Sequence, residues 1–493
     1  MRMDSRSAAR CSRHAASSAS HELLPRSVGA LLVWGCTAAL PGVPSALAAG
    51  SPPAGSAQLP QAAATSELEH ELAELRARLG ALEDELRRRA APEQPAPGGG
   101  APRERSRPPA LRPLWERDEL KTPRALRGVY DKPFLVQLWQ RAYLGGYTEL
   151  EFHAYRDPVL EIPRGFRAHR TNLFAFADVA ERVRFAGEIE FEHEQPGEDL
   201  EVAVEMAFAD WVIFEQLVVR GGVLLVPLGR INVNHDGPVR ELTDRPLVST
   251  FVIPTTLSEA GVGVHGSLQL PGAALVLRYE AYLVNGLGLL DRSGTLAVPP
   301  TEFQHLLREG RPSLGGDTNG SPAFTGRVAL GLGGLAEAGF SFYAGDYDER
   351  NDNRLSIVAA DLAVEHGPFA LEGEFAWAGF ERDAFARTAG VPDRFWGFYV
   401  QAGLGGMPAW LREALPYVFD GEAARLGVAL RYERVDLDGD IGEAIEPGLS
   451  FRPFADTVFK ASYRFALRSL GERDVPGRRP DDEGVVFGLA SYF

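Results

Sequence analysis

Beyond about residue 140 the chain keeps a period of two, and that habit decides what it can fold into. In GYTELEFHAY, Leu150, Phe152 and Ala154 share one face, while Glu149, Glu151 and His153 share the other. In RVRFAGEIEFEH, Val183, Phe185, Ile189 and Phe191 alternate with Arg184, Glu188, Glu190 and Glu192. In ALVLRYEAYLVNG, Leu275, Leu277, Tyr279, Ala281 and Leu283 alternate with Val276, Arg278, Glu280 and Tyr282. In TVFKASYRFALRS, Phe459, Ala461, Tyr463, Phe465 and Leu467 alternate with Lys460, Ser462, Arg464 and Arg468. Successive side chains of an extended strand point to opposite faces, so each segment predicts a strand with one apolar and one charged face. Clusters of Gly, Asp and Asn, such as GDYDERNDN (345–353) and DLDGDIGE (436–443), separate the segments.

A soluble β-sandwich alternates as well. Two features favour a membrane barrel. The apolar faces are rich in Phe, Tyr and Leu opposite charged faces, as strands between lipid and water require. The chain also stops inside an apolar strand, GVVFGLASYF, in which Val485, Phe487 and Leu489 share a face. Ser491 interrupts that pattern and Tyr492 sits on the opposite face, and the final residue is Phe493. A terminal aromatic strand of this kind is similar to the assembly signal of bacterial outer-membrane proteins. The expected fold class is all-β, a transmembrane antiparallel β-barrel over residues 130–493, preceded by a short α-helical coiled coil. At about 20–24 residues per strand with its turn, residues 146–493 hold roughly 15 to 17 strands, and an even count makes 16 the central figure, with 18 the alternative.

Composition removes the competing membrane architecture. Mean hydropathy is −0.14, and no apolar run reaches the 18 or so residues of a spanning helix. The 51 Lys+Arg against 67 Asp+Glu argue against a nucleic-acid partner.

The first 65 residues read as an address. Five arginines (Arg2, Arg6, Arg10, Arg13, Arg26) precede the apolar stretch Val28–Leu40, and Ala46-Leu47-Ala48 supplies a small-x-small cleavage pattern. A secretory signal over residues 1–48 is expected; acylation of Cys36 is the alternative, with the bulky Trp34 against it. Both cysteines, Cys11 and Cys36, fall in this leader. From Ser66, the leucines Leu68, Leu72, Leu75, Leu79, Leu82 and Leu86 form an unbroken a/d seam through residue 90. That seam predicts self-association through residues 66–90; a single amphipathic helix packed on the rest of the chain is the alternative. Residues 91–124 are a Pro/Gly/Arg-rich linker.

The stretch 221–266 is the most distinctive in the chain. Pro227-Leu228-Gly229 at a strand end, Arg245-Pro246 in a loop, the return from Pro254 to Gly261 and YLVNGL at 282–287 resemble the porin family that includes phosphate- and polyphosphate-selective porins. The resemblance covers residues 130–493. It implies an outer-membrane porin of the Gram-negative type, inserted in outer-membrane lipid by the barrel-assembly machinery. It also implies a homotrimer with the coiled coil in the periplasm. Phosphate-selective members line their constriction with Arg and Lys. This chain has only Lys121, Lys132 and Lys460 for lysines, and from residue 115 onward 37 Lys+Arg stand against 56 Asp+Glu. Charge rings set the sign of the preferred ion, so phosphate selectivity is not carried over. A general or mildly cation-leaning pore for small hydrophilic solutes or ions is expected, with an anion channel or a non-conducting structural anchor as alternatives.

Pore-lining candidates are Glu149, Glu151, Arg184, Glu188, Glu190, Glu192, Arg278, Glu280, Lys460, Arg464 and Arg468. The constriction candidates Asn234, His235, Asp236, Arg240, Asp244 and Arg245 crowd into residues 232–246, together with Asn232 and Glu241; an external loop braced by salt bridges is the alternative. No cofactor and no metal is expected. There is no Gly-Lys dipeptide for a phosphate-binding loop, no G-x-S-x-G and no H-E-x-x-H. Ser249, His235 and Asp244 are near in sequence, and proximity in sequence says nothing of triad geometry, so no hydrolase site is expected from them. Asp436, Asp438 and Asp440 begin like a calcium loop, yet Ile441 stands where that loop needs glycine.

Overall fold

The computed structural model describes residues 136–139, 141–155, 164–192, 200–270, 274–312, 314–317, 319–414, 424–471 and 482–493. The expected signal, coiled coil and linker lie outside the described residues. The strands are β1 (Val136–Trp139), β2 (Ala142–His153), β3 (Gly165–Ala180), β4 (Val183–Glu192), β5 (Glu201–Phe214) and β6 (Leu217–Leu225). They continue as β7 (Ser258–Gln269), β8 (Leu275–Val284), β9 (Ala323–Leu332), β10 (Ala336–Asp346), β11 (Arg354–His366) and β12 (Phe369–Phe380). The series ends with β13 (Arg394–Gly406), β14 (Arg425–Leu437), β15 (Asp440–Arg452), β16 (Thr457–Arg468) and β17 (Gly484–Tyr492).

From β2 to β17 each strand pairs antiparallel with the next, and β17 returns to β2 from Val486↔His153 to Tyr492↔Tyr147. Sixteen strands therefore close a barrel, the central figure expected from length. The seam is tied by Gly146 and Phe493, whose backbones exchange hydrogen bonds of 3.1 and 3.0 Å. The short β1 pairs with β2 from Leu144 to Ala142, the stretch that β17 does not reach. Closure leaves no sheet edge to satisfy.

The two ends of the barrel differ. At one end the connections are brief: 181–182, 215–216, 270–274, 333–335, 367–368 and 453–456, with 407–424 the exception. At the other most are longer: 154–164, 193–200, 226–257, 285–322, 347–353, 381–393 and 469–483, with 438–439 the exception. The connection 438–439 is a two-residue hairpin with Asp438 at φ 56° and Gly439 at φ 98°, the backbone of a type I′ turn. Asp436 and Asp440 are thus strand residues flanking a turn.

Solvent exposure is inverted relative to a soluble protein. Leu150, Phe185, Ile189, Phe375, Trp377, Leu430, Leu449, Phe459, Phe465 and Phe487 face outward and are exposed, while Glu149, Arg170, Glu188, Asp210, Arg327, Glu433, Glu446 and Lys460 face inward and are buried. An apolar band outside and charge within is the pattern of a barrel that crosses lipid. One sector departs from it. Along β11–β14 the inward positions Leu355, Ile357, Ala376, Ala378, Phe395, Val435 and Leu437 belong to a buried apolar cluster. What they pack against enters through the connections 226–257 and 285–322.

Candidate functional site

The connection 226–257 runs through the lumen. It enters where β6 ends in Leu225, and Asn232 ties its neck: Nδ2 donates to Val226 O at 2.7 Å and Leu257 O at 3.0 Å, and Oδ1 accepts from Leu257 N at 2.8 Å. Gly229 turns the chain at φ +68°, and a Cβ there would lie 2.6 Å from Ile253 Cδ1 and 2.7 Å from Glu374 Oε2. Glycine is therefore required at the end of Pro227-Leu228-Gly229. Gly229 N reaches Ser341 Oγ on β10 at 2.8 Å, and Ile231 N reaches Glu374 on β12 at 3.2 Å.

One side of this segment is apolar. Leu228, Ile231, Leu247, Val248, Phe251, Val252 and Ile253 join the cluster on the β11–β14 wall, along with Leu287, Leu289, Leu306 and Leu307 from the connection 285–322. The polar contacts of the 226–257 segment reach strands β2, β14, β15, β16 and β17. Arg240 donates to both Glu149 oxygens, at 2.9 and 3.1 Å. Lys460 Nζ donates to Gly237 O at 2.7 Å and lies 3.7 Å from Glu149. Arg452 donates to Pro238 O at 2.6 Å, and Tyr492 OH donates to Asp236 at 3.0 Å. Asp244 faces His153 at 3.0 Å and accepts from Tyr155 OH at 2.9 Å, while its carbonyl accepts from Arg431 at 2.8 Å. Leu247 N donates to Glu433 Oε2 at 2.9 Å.

Electrostatics follow from these neighbours. Burial pushes the Asp244 carboxyl up, but His153, with Arg464 and Arg431 beyond it, outweighs burial and holds it below the usual carboxylate range. Burial and the adjacent Arg170 and Arg240 push the Arg245 guanidinium down to about 10. Arg245 also donates to Thr255 O at 3.1 Å within its own segment.

The pore-lining candidates occupy inward positions of their strands. Glu149, Glu151, Arg184, Glu188 and Glu190 are buried. Arg170 of β3 gathers Glu190 at 3.0 Å and Glu192 at 3.1 Å, and Arg167 donates to Glu151 at 2.7 Å. Arg278 meets Glu337, and Glu280 accepts from Tyr282 OH at 2.8 Å. Lys460, Arg464 and Arg468, pore-lining candidates on one face of β16, are not equivalent. Lys460 is held by the inward segment, Arg464 donates to Glu433 at 2.6 Å, and Arg468 is exposed at the strand end. Asn234 lies with Arg230, Arg240, Glu241, Arg425 and Arg452 around a recess of ≈ 230 Å³ between the segment and the wall.

Ser249, His235 and Asp244 keep separate partners. Ser249 Oγ donates to Pro246 O at 2.8 Å, His235 Nε2 meets Glu205 at 3.1 Å, and Asp244 serves His153 and Tyr155. Sequence reasoning missed Glu205, Glu374, Arg431, Glu433 and Arg452. Arg431 and Glu433 sit in RLGVALRYERVDL, where period two marks them. Nothing local marks Glu374 as a receiver of loop amides.

Fold and lumen together define a closed barrel, apolar outside, charged within, and crossed by an inward segment. No description of a known protein family matches the chain. An uncharacterized protein of Aquifex aeolicus (strain VF5) is 28% identical over 350 residues, covering 67% of this chain and 76% of the relative. Among solved structures, Salmonella typhi OmpF has a TM-score of 0.46 at 10% identity, covering 73% of this chain and 100% of OmpF. An anion-selective porin from Comamonas acidovorans has 0.44 at 12%, covering 71% and 99%. The outer-membrane channel DcaP of Acinetobacter baumannii has 0.42 at 12%, covering 71% and 97%. At these values the functional argument rests on the chain's own residues.

Proposed function

We propose that this chain is an outer-membrane channel through which small hydrophilic solutes or ions diffuse passively, with the 226–257 segment as its constriction. One observation carries the reading: a segment bearing Arg240, Asp244 and Arg245 crosses a charged lumen whose outer wall is apolar. Opposed charges across a narrow aqueous passage filter by size and sign. The surplus of carboxylates past residue 115 favours a general or mildly cation-leaning pore. In this reading the basic residues of the lumen mostly serve to hold the segment, as Lys460, Arg452 and Arg431 do. The leucine seam of residues 66–90 assembles a homotrimer, with the coiled coil on the periplasmic side.

The packed apolar half of the interior favours a second reading, a barrel anchor that conducts nothing. Planar-bilayer recording separates the two: stepwise conductance supports the channel, and its absence in correctly folded protein supports the anchor. Deleting residues 66–90 should weaken oligomers on native gels, and unchanged oligomers would remove that role from the zipper.

A further inference from the structure

Two groups of His and carboxylate side chains in the lumen bring their ligand atoms within 4.8 Å of one another: Glu149, Glu151 and His169, and Glu188, His235 and Asp236. Their surroundings differ. Cations already meet the first group, with Arg240 and Lys460 on Glu149 and Arg167 on Glu151. In the second, one amide nitrogen, Asn172 Nδ2, joins Glu188 to Glu205, and Glu205 faces His235 Nε2 at 3.1 Å. Amides and hydroxyls hold these acids in place. Asn172 Nδ2 donates to Glu188 at 2.8 Å and to Glu205 at 3.1 Å, Thr256 donates to Glu205 at 3.2 Å, and Tyr492 donates to Asp236 at 3.0 Å. Three buried carboxylates thus surround one imidazole. Two carboxylates bound to one amide nitrogen lie close enough to favour a cation between them.

A second observation points to a ligand. Asn172 Oδ1 and the Tyr147 hydroxyl have no hydrogen-bond partner although both residues are 0% exposed. The Asn172 amide is aimed into the group by its two bonds there. Tyr147 is its cross-strand partner, and its ring lies 5.9 Å from that of Tyr492, the donor to Asp236. Unpaired buried polar atoms are rare in folded proteins and call for a missing partner. His235 is also preset: Nδ1 lies 3.0 Å from Asn232 O. With Nδ1 held there, Nε2 points at the carboxylates, and a bound ion would replace the proton that joins it to Glu205, the arrangement that orients metal-binding histidines.

We propose that Glu188, His235 and Asp236, with Glu205 beside them, bind one divalent transition-metal ion of the Zn²⁺ kind. One imidazole nitrogen with carboxylate oxygens is a borderline donor set, suited to Zn²⁺ and poorly suited to soft monovalent metals. The ion clips the inward segment, through His235 and Asp236, to β4 and β5. No spacing in the sequence announces the site, because its ligands come from three separate stretches. The inference stands apart from whether the lumen conducts.

The full chain, folded in detergent micelles and stripped with a chelator, is equilibrated with Zn²⁺ and its bound metal counted by atomic emission. One Zn²⁺ per chain is expected, with X-ray absorption reporting a single imidazole among oxygen ligands. The melting temperature should rise, and chelator should reverse the rise. The pair His235→Ala with Glu188→Gln should lose the ion while keeping β circular dichroism and heat-modifiable mobility, whereas His169→Ala in the first group should keep it. Wild-type protein that binds no Zn²⁺ overturns the proposal. Binding without an imidazole ligand, or undiminished in a folded double variant, overturns it too. Should the double variant not fold, the wild-type count and ligand sphere decide alone.

Discussion

Arg240 sets its guanidinium on both oxygens of Glu149, at 2.9 and 3.1 Å, across 91 residues of chain. The contact joins the inward segment to the first full strand of the barrel. Glu149 also lies 3.7 Å from both Arg170 Nε and Lys460 Nζ. A carboxylate so surrounded stays charged, and the segment is pinned where its own charges face the lumen.

Replacing Arg240 and Arg245 together by alanine should shift the reversal potential toward cations and raise single-channel conductance. Removing one partner of a buried pair costs about 3 kcal/mol, here partly offset by Arg170 and Lys460, so the barrel should survive while the segment loosens. Ion selectivity equal to wild type would show that residues 226–257 are not the constriction.

The Asp244 latch carries a pH signature. Its carboxyl is held below the ordinary value, so the folded state binds fewer protons there than the unfolded chain. The resulting stability is fully present above the unfolded pKa of about 3.9 and is lost as pH falls through the folded value. Wild type minus Asp244→Asn should therefore give a stability gap that shrinks as pH falls below about 4. Chemical denaturation at several acid pH values reads this directly, and a gap that persists unchanged into strong acid would assign the latch to another group.

Charge placement was legible in the sequence where only one face of a strand packs. Glu149, Glu188, Glu190 and Lys460 alternate with Leu150, Ile189 and Phe459, and the structure turns the first set inward. The signal fails in β11, where inward Leu355 and Ile357 sit beside outward Val358 and Ala360. Both faces are apolar there, because the lumen side packs on Leu247, Phe251 and Leu306 rather than on water. Period two reports a difference between faces, and a filled lumen erases it. Among the partners of the inward segment, Glu433 follows the period of its strand, whereas the roles of Glu205 and Glu374 depend on tertiary closure and left no local trace.

The outer band can be probed at Leu430, mid-strand on β14 and 52% exposed. Arginine on a lipid face at the bilayer midplane costs about 2–4 kcal/mol. Leu430→Arg should lower the denaturation midpoint in phospholipid vesicles accordingly. In a water-soluble barrel the same change would be nearly silent, so an unchanged midpoint would remove lipid from this face.

Adjacent glycines of β6 offer the sharpest internal contrast. Gly222 has φ +137°, and a Cβ there would lie 2.3 Å from Ala207 O and 2.7 Å from Phe208 Cα, both backbone atoms of β5. Neither can yield without shifting the strand, so Gly222→Ala should destabilise by about 2–4 kcal/mol through strain and overlap. A Cβ at Gly221 would meet Val262 Cγ2 at 3.8 Å, an ordinary contact. Gly221→Ala should be neutral or stabilise by up to about 1 kcal/mol, since it narrows the unfolded ensemble. The pair is read by the urea midpoint of heat-modifiable gel mobility. Equal midpoints would mean that β5 and β6 do not keep the register Phe208↔Gly222, and with it the path by which β6 delivers Leu225 to the mouth of the inward segment.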